Sequence, residues 1–160
     1  MAGERHIVGL GGDGDTDEQS ELLWTYVLGL TGKERPRVLF VPTASKESDS
    51  YTLWFYERFS GHAETSHLYT FPWPPENLRE LVLRQNAICV SGGSTANMLA
   101  IWKVHGIDLL LREAWESGVL LFGASAGMIC WFEAGVTDSF GPQLEGMSCL
   151  GFLAGSACPH

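Results

Sequence analysis

Ser125 sits in the stretch LLFGASAGMICW, Leu120 to Trp131, held between Gly123 and Gly127 where an apolar run meets a helical pattern. Gly123 to Gly127 reads G-x-S-x-G, the spacing of a serine presented on a sharp strand-to-helix turn. Such a turn puts the serine at strained backbone angles and leaves room only for small flanking side chains. It also sets the hydroxyl at a helix N-terminus, where the dipole and free N–H groups favour developing negative charge. The chemistry that fits is acyl transfer, with Ser125 Oγ attacking a carbonyl carbon. The plainer alternative for the same residue is a helix N-cap.

A serine hydroxyl needs a base to take its proton. Five histidines are present. His6 opens the first apolar run, His62 and His67 flank the third strand candidate, and His105 lies in the turn HGID. His160, after GSACP, lies downstream of the serine and is the base candidate by order. An oxyanion hole needs two N–H groups aimed at one point. Ala126, directly after the serine, can supply one. Gly93 in VSGGST can supply the other, because glycine lets the backbone approach a substrate closely. Read alone, GGST is a turn followed by a helix cap.

A third Gly-rich stretch, GLGGDG, fits G-x-G-x-x-G through Gly9, Gly11 and Gly14 and follows a strand candidate. The next strand candidate ends in FVPTAS, with no Asp or Glu to accept from a ribose. Asp13, Asp15, Asp17 and Glu18 would crowd a pyrophosphate with like charge. A Gly-rich turn with acidic residues near a helix N-terminus accounts for it more simply. A non-catalytic small-molecule or nucleotide-binding α/β domain stands as the alternative function.

Short apolar runs alternating with helical periodicity must position these loops. Strands are expected at His6 to Leu10, Arg37 to Ala44, Ser66 to Phe71, Ala87 to Gly93 and Val119 to Ala124. Helices are expected in SELLWTYVLGL with Ser20 as cap, and in SYTLWFYERF, ENLRELVLRQ, TANMLAIWKV and LLLREAWES. Near-continuous apolar strands fit a sheet covered on both faces. The fold class is therefore α/β, a three-layer doubly wound and mostly parallel sheet with helices on both faces. After Trp131 the pattern loosens into Gly-rich β or loop segments. Binding sites in such sheets collect at the carboxyl ends of the strands, which puts the three Gly-rich loops on one edge.

The chain has 160 residues, 45% of them hydrophobic, which suits one domain with a sizeable core and excludes a disordered chain. No apolar run reaches the roughly 20 residues that span a bilayer, and MAGERHIVGL lacks the apolar core of a signal peptide. The net charge of −9 argues against nucleic acid as a partner. Cys89, Cys130, Cys149 and Cys158 occur singly, which fits reduced thiols in a cytoplasm and no disulfide framework.

RVLFVPTAS, VSGGSTANML, GASAGM followed by CW, GVTDS and CPH, in this order, resemble the peptidase E family of serine peptidases. These relatives of aspartyl dipeptidase and cyanophycinase have a fold similar to class I glutamine amidotransferases. The resemblance runs from Ile7 to the last residue. It implies Ser125 as nucleophile, His160 as general base, and Gly93 and Ala126 as the oxyanion hole. It further implies a cytoplasmic enzyme without metal or cofactor whose substrates are small peptides, among them dipeptides with N-terminal Asp.

Two departures stand out. The family pattern has Asn after the glycines, where this chain has Ser94, whose hydroxyl is expected to cap the helix with little effect. Family members also continue beyond the Pro-His pair, and the glutamate of the triad lies in that later segment. A base on a terminal residue frays and sits beside the α-carboxylate, which favours its protonated form. The 160-residue chain is thus expected to be a truncated form, weakly active or inactive, with exposed apolar surface that favours a homo-oligomer. Asp138 in VTDS is expected to support the site rather than serve as triad acid; Glu133 and Glu145 are the other carboxylates nearby in sequence.

Overall fold

The computed structural model describes residues 4–12 and 17–159. Five strands form one parallel sheet: β1 (Ile7–Leu10), β2 (Arg37–Val41), β3 (Glu64–His67), β4 (Ala87–Val90) and β5 (Leu120–Ala124), in the spatial order β1-β5-β4-β2-β3. Successive side chains of a strand point to opposite faces, so each central strand feeds two cores. Leu39, Val41, Ile88, Val90 and Leu121 enter one cluster; Val38, Phe40, Ala87, Cys89, Leu120 and Phe122 enter the other. This double burial is why the strands read as unbroken apolar runs.

One face is covered by α1 (Asp17–Gly29) and α2 (Asp49–Phe59), through Trp24, Val27, Phe55 and Phe59. Phe40 stacks on Phe55 at 4.7 Å, and Trp24 meets Phe59 edge-on at 5.2 Å. The other face is covered by α3 (Leu78–Leu83), α4 (Thr95–His105) and α5 (Ile107–Glu116), through Val82, Met98, Trp102, Ile107 and Leu111. Hence β2 leads into α2 on one face and its neighbour β4 into α4 on the other. The gap between their carboxyl ends is the topological switch point, where ligands bind in open sheets.

Three expectations shift. α1 begins at Asp17 rather than after Ser20, because Asp17 and Glu18 occupy its positive first turn; Ser20 is buried inside the helix. β3 spans Glu64–His67, not Ser66 to Phe71, since its pairing starts with Glu64 opposite Arg37 at the sheet edge. α3 is shorter at both ends than the ten residues ENLRELVLRQ.

Beyond β5 comes the single turn α6 (Ala126–Ile129), then β6 (Phe132–Thr137), β7 (Glu145–Ser148) and β8 (Leu153–Ala157). These strands form a second sheet in the order β7-β6-β8, with β7 antiparallel and β8 parallel to β6. Arg112 of α5 ties this sheet to the body. Its guanidinium lies 4.3 Å from the Phe152 ring centre and donates to the carbonyls of Leu150 and Gly151, each at 3.2 Å. No helix among the described residues is long and apolar enough to cross a membrane.

Candidate active site

β5 ends at Ala124 and α6 begins at Ala126, so Ser125 alone makes the turn between them. Its backbone sits at φ +54°, ψ −110°, a region a side chain occupies only under strain. Backbone hydrogen bonds fix the corner from either side. Ser125 N–H donates to the Leu10 carbonyl at the end of β1 (3.1 Å), and the Ser125 carbonyl accepts from Met128 N–H (2.9 Å). The side chain makes no capping hydrogen bond to α6, so the N-cap reading of Ser125 fails. Among the described residues its hydroxyl makes no capping bond.

The flanking glycines are required by contact. A Cβ on Gly123 would lie 2.4 Å from the Val90 carbonyl oxygen, and one on Gly127 would lie 2.2 Å from the same atom. Strand β4 therefore presses its last carbonyl between the two arms of the turn. Trp131, fully buried, donates its indole N–H to the Gly127 carbonyl at 2.7 Å and braces the arm from behind.

The loop after β4 runs alongside. A Cβ on Gly92 would stand 3.4 Å from Ser125 Cβ, which places this glycine against the serine. Gly93 has φ +133°, and a Cβ there would overlap the Ala44 carbonyl at 2.1 Å. Among the described residues, the N–H groups of Gly93 and Ala126 give no hydrogen bond to another protein group. Ser94 accepts from Asn97 N–H at 3.3 Å and caps α4, as its hydroxyl was expected to do.

Two supports for this loop escape a reading of the sequence. The chain after β2 forms a 3-10 turn, Thr43–Ser45, whose Ala44 carbonyl accepts from Ser94 N–H at 2.9 Å. The buried Trp102 indole donates to Thr43 Oγ1 at 3.1 Å and holds the turn against α4. Glu47, at φ +53°, follows, and its carboxylate accepts from Thr70 N–H, from Thr70 Oγ1 and from Phe71 N–H. PTAS was visible as a motif, but only the fold shows that it props the glycines.

The last strand, β8, brings the chain end back to the serine. Pro159 and Cys158 share a hollow with Ser125, Gly93, Thr137 and Asp138. His160, the expected base, lies outside the described residues. Asp138 is exposed, and its described hydrogen bond is made by its backbone carbonyl, which accepts from Gly141 N–H at 3.3 Å. Beside it, Ser139 Oγ accepts from Ala96 N–H at 3.2 Å and pairs with Thr137 Oγ1 at 2.7 Å, joining β6 to the start of α4. Glu133 is turned to another task, accepting from Gly155 N–H at 2.8 Å, and Glu145 is exposed on β7.

Packing explains the first Gly-rich loop without a nucleotide. A Cβ on Gly9 would meet Met128 Cγ at 2.5 Å, and one on Gly11 would meet the Pro159 carbonyl oxygen at 2.8 Å. Gly14, with Asp13 and Asp15, lies outside the described residues. The two described glycines of the G-x-G-x-x-G match thus give way to the elbow helix and to the returning chain end.

A doubly wound α/β protein with a serine elbow at the carboxyl edge of its sheet is the class that these elements define. The model of peptidase family S51 matches residues 7–160, and the chain belongs to that family. The uncharacterized peptidase YgaJ of Bacillus subtilis (strain 168) is 46% identical over 158 residues, covering 98% of this chain and 68% of YgaJ. The crystal structure of a candidate peptidase E protein from Listeria monocytogenes EGD-e matches with a TM-score of 0.69 at 18% identity, over 93% of this chain and 75% of that one. A peptidase from an acI-B1 Actinobacterium matches with a TM-score of 0.64 at 18% identity, over 91% of this chain and 64% of that one. These two likenesses bear out the expected fold, and the family match bears out the resemblance to peptidase E. The chain thus spans about two thirds of the length of the relative YgaJ.

Proposed function

We propose that this chain carries the nucleophile and oxyanion hole of a serine-type peptidase acting on small peptides. Ser125 Oγ attacks the scissile carbonyl while its proton passes to the imidazole of His160. The negative charge that grows on the carbonyl oxygen is held by the N–H groups of Gly93 and Ala126. The C–N bond then breaks, the amine leaves with the proton, and water hydrolyses the ester on Ser125. Asp138 supports the site from its rim and is not the triad acid. The same reading places the enzyme in a reducing cytoplasm, in keeping with thiols at Cys89, Cys130, Cys149 and Cys158.

The observation that supports this best is the uncapped Ser125 side chain at φ +54° beside amides that have no acceptor among the described residues. A backbone held in so costly a conformation, with its hydroxyl unused for structure, is the mark of a functional turn. An N-terminal Asp on the substrate, which the peptidase E resemblance implies, would call for a cation near the serine. Neither hollow beside Ser125 has a Lys or Arg among its described lining residues.

Labelling with a fluorophosphonate probe tests the reaction. The wild-type chain is expected to label at a single residue, Ser125, and Ser125→Ala to lose the label with its fold intact by circular dichroism. Equal labelling of the Ser125→Ala variant would remove Ser125 from the mechanism.

A further inference from the structure

The cleft on the α1–α2 side of Ser125 has a volume of about 510 Å³, within the range of sites that enclose small ligands. Gly92 and Ser125 form its inner end, and Trp24, Phe40, Tyr51 and Trp54 form its walls. Every other described lining residue is Gly, Ala, Val, Ser or Cys. Phe40 is fully buried beneath, and Trp24 and Trp54 meet edge-on at 6.1 Å, so two of the walls brace each other. Tyr51 stands at the mouth, half exposed.

From this we infer that the cleft is a specificity pocket for a large apolar or aromatic side chain next to the scissile bond. The inference rests on Ser125 as the reacting group and names the substrate class that such a site would take. A ring entering the cleft exchanges water for aromatic edges and faces, the geometry in which aromatic pairs attract. A carboxylate entering it would give up its hydration with no Lys, Arg or His among the described lining residues to replace it. An ammonium would fare no better, since no Asp or Glu is among them either. Peptides with Phe, Tyr, Trp or Leu in this position are therefore the preferred class, and Asp in the same position is disfavoured.

Trp54 and Tyr51 come from α2, which follows the loop after β2, and Gly92 from the loop after β4. The two sides of the switch point thus divide the work. The β4 and β5 loops hold the reacting carbonyl, and α2 reads the side chain. Tyr51 and Trp54 belong to α2, whereas the nucleophile follows β5, so substrate selection and attack are assigned to separate elements.

Calorimetric titration of the Ser125→Ala chain with Phe-Ala, Ala-Phe, Asp-Ala and Ala-Asp tests this without turnover. In one of the two orders the Phe peptide is expected to bind at least about tenfold tighter than its Asp counterpart, the scale on which apolar pockets discriminate. Tyr51→Ala, at an exposed position, should weaken Phe binding severalfold and leave Asp binding alone. Trp54→Arg, checked for folding by its unfolding midpoint, should narrow or invert the preference. Equal or tighter binding of the Asp peptides, or no binding by either class, overturns the inference. So does a Phe preference that both variants leave unchanged. Fluorophosphonate labelling separates this from the chemistry. A Phe preference in a chain that never labels keeps the pocket and discards the serine peptidase. Labelling with an Asp preference keeps the peptidase and discards the pocket.

Discussion

Backbone strain concentrates at the α-carbon of Ser125, the proposed nucleophile. Its φ of +54° costs roughly 1–3 kcal/mol for a residue with a side chain, and Ala keeps that cost while Gly escapes most of it. Ser125→Ala should therefore leave stability within about 0.5 kcal/mol, since the hydroxyl caps nothing. Ser125→Gly should raise the melting midpoint by a few degrees, at about 2–4 °C per kcal/mol for a chain of this size. Both should abolish labelling. Scanning calorimetry of the three proteins checks the order, and a Gly variant that melts below the Ala variant would mean the turn is unstrained. Lys46 and Glu47 also sit at positive φ, and the Glu47 carboxylate is held by three donors. Replacing Glu47 with Ala removes three acceptor contacts from Thr70 and Phe71 and should cost about 2 kcal/mol in denaturant unfolding.

Among the elements, the elbow is the point where β4, β5 and α6 converge on the Val90 carbonyl. Gly127→Ala should lose about 1–3 kcal/mol or more, because the contact at 2.2 Å is with backbone that cannot move aside. Gly12, with no described neighbour within 4 Å of its added Cβ, is the control and should tolerate Ala. Urea midpoints of the pair measure the difference. This convergence bears on what the sequence could reveal. The strands β2, β4 and β5 were legible because burial on both faces leaves apolar runs, and GASAG was legible because only small residues survive there. The edge strand β3 reads ETSH and carries no such run, so its position slipped. The pairing of β1 with β5 joins residues more than a hundred apart, from Ile7 to Leu121, and no local pattern encodes it. In the small sheet a Cβ on Gly135 of β6 would stand 3.1 Å from the Ile129 side chain, while Gly146 and Gly155 face open space, and these glycines hid its periodicity. The aromatic cleft was hidden for another reason: Trp24, Phe40 and Trp54 are core-type residues, and only the fold shows the cleft that they border.

For the molecule as a whole, the four thiols grade the packing from outside to inside. Cys158 is exposed, Cys149 half-buried, and Cys89 and Cys130 buried. Burial pushes the Cys130 thiol well above its usual range, with Cys149 adding to it, and burial also raises Cys149. A raised pKa lowers the thiolate fraction at a given pH and slows attack on a disulfide reagent. With a chromogenic disulfide at neutral pH, Cys158 should react first and Cys149 more slowly. Cys89 and Cys130 should react only as urea opens the core. Fast reaction of all four in the native protein would contradict the two closed clusters. The shared contact of Gly123 and Gly127 with one carbonyl has its own reach. In a saturation library sorted once for soluble expression and once for turnover, those two positions should fail both sorts, whereas Ser125 should fail only the second. A lineage of such proteins could thus abandon hydrolysis in a single step and keep the bend, but could not discard the bend and still have a molecule to repurpose.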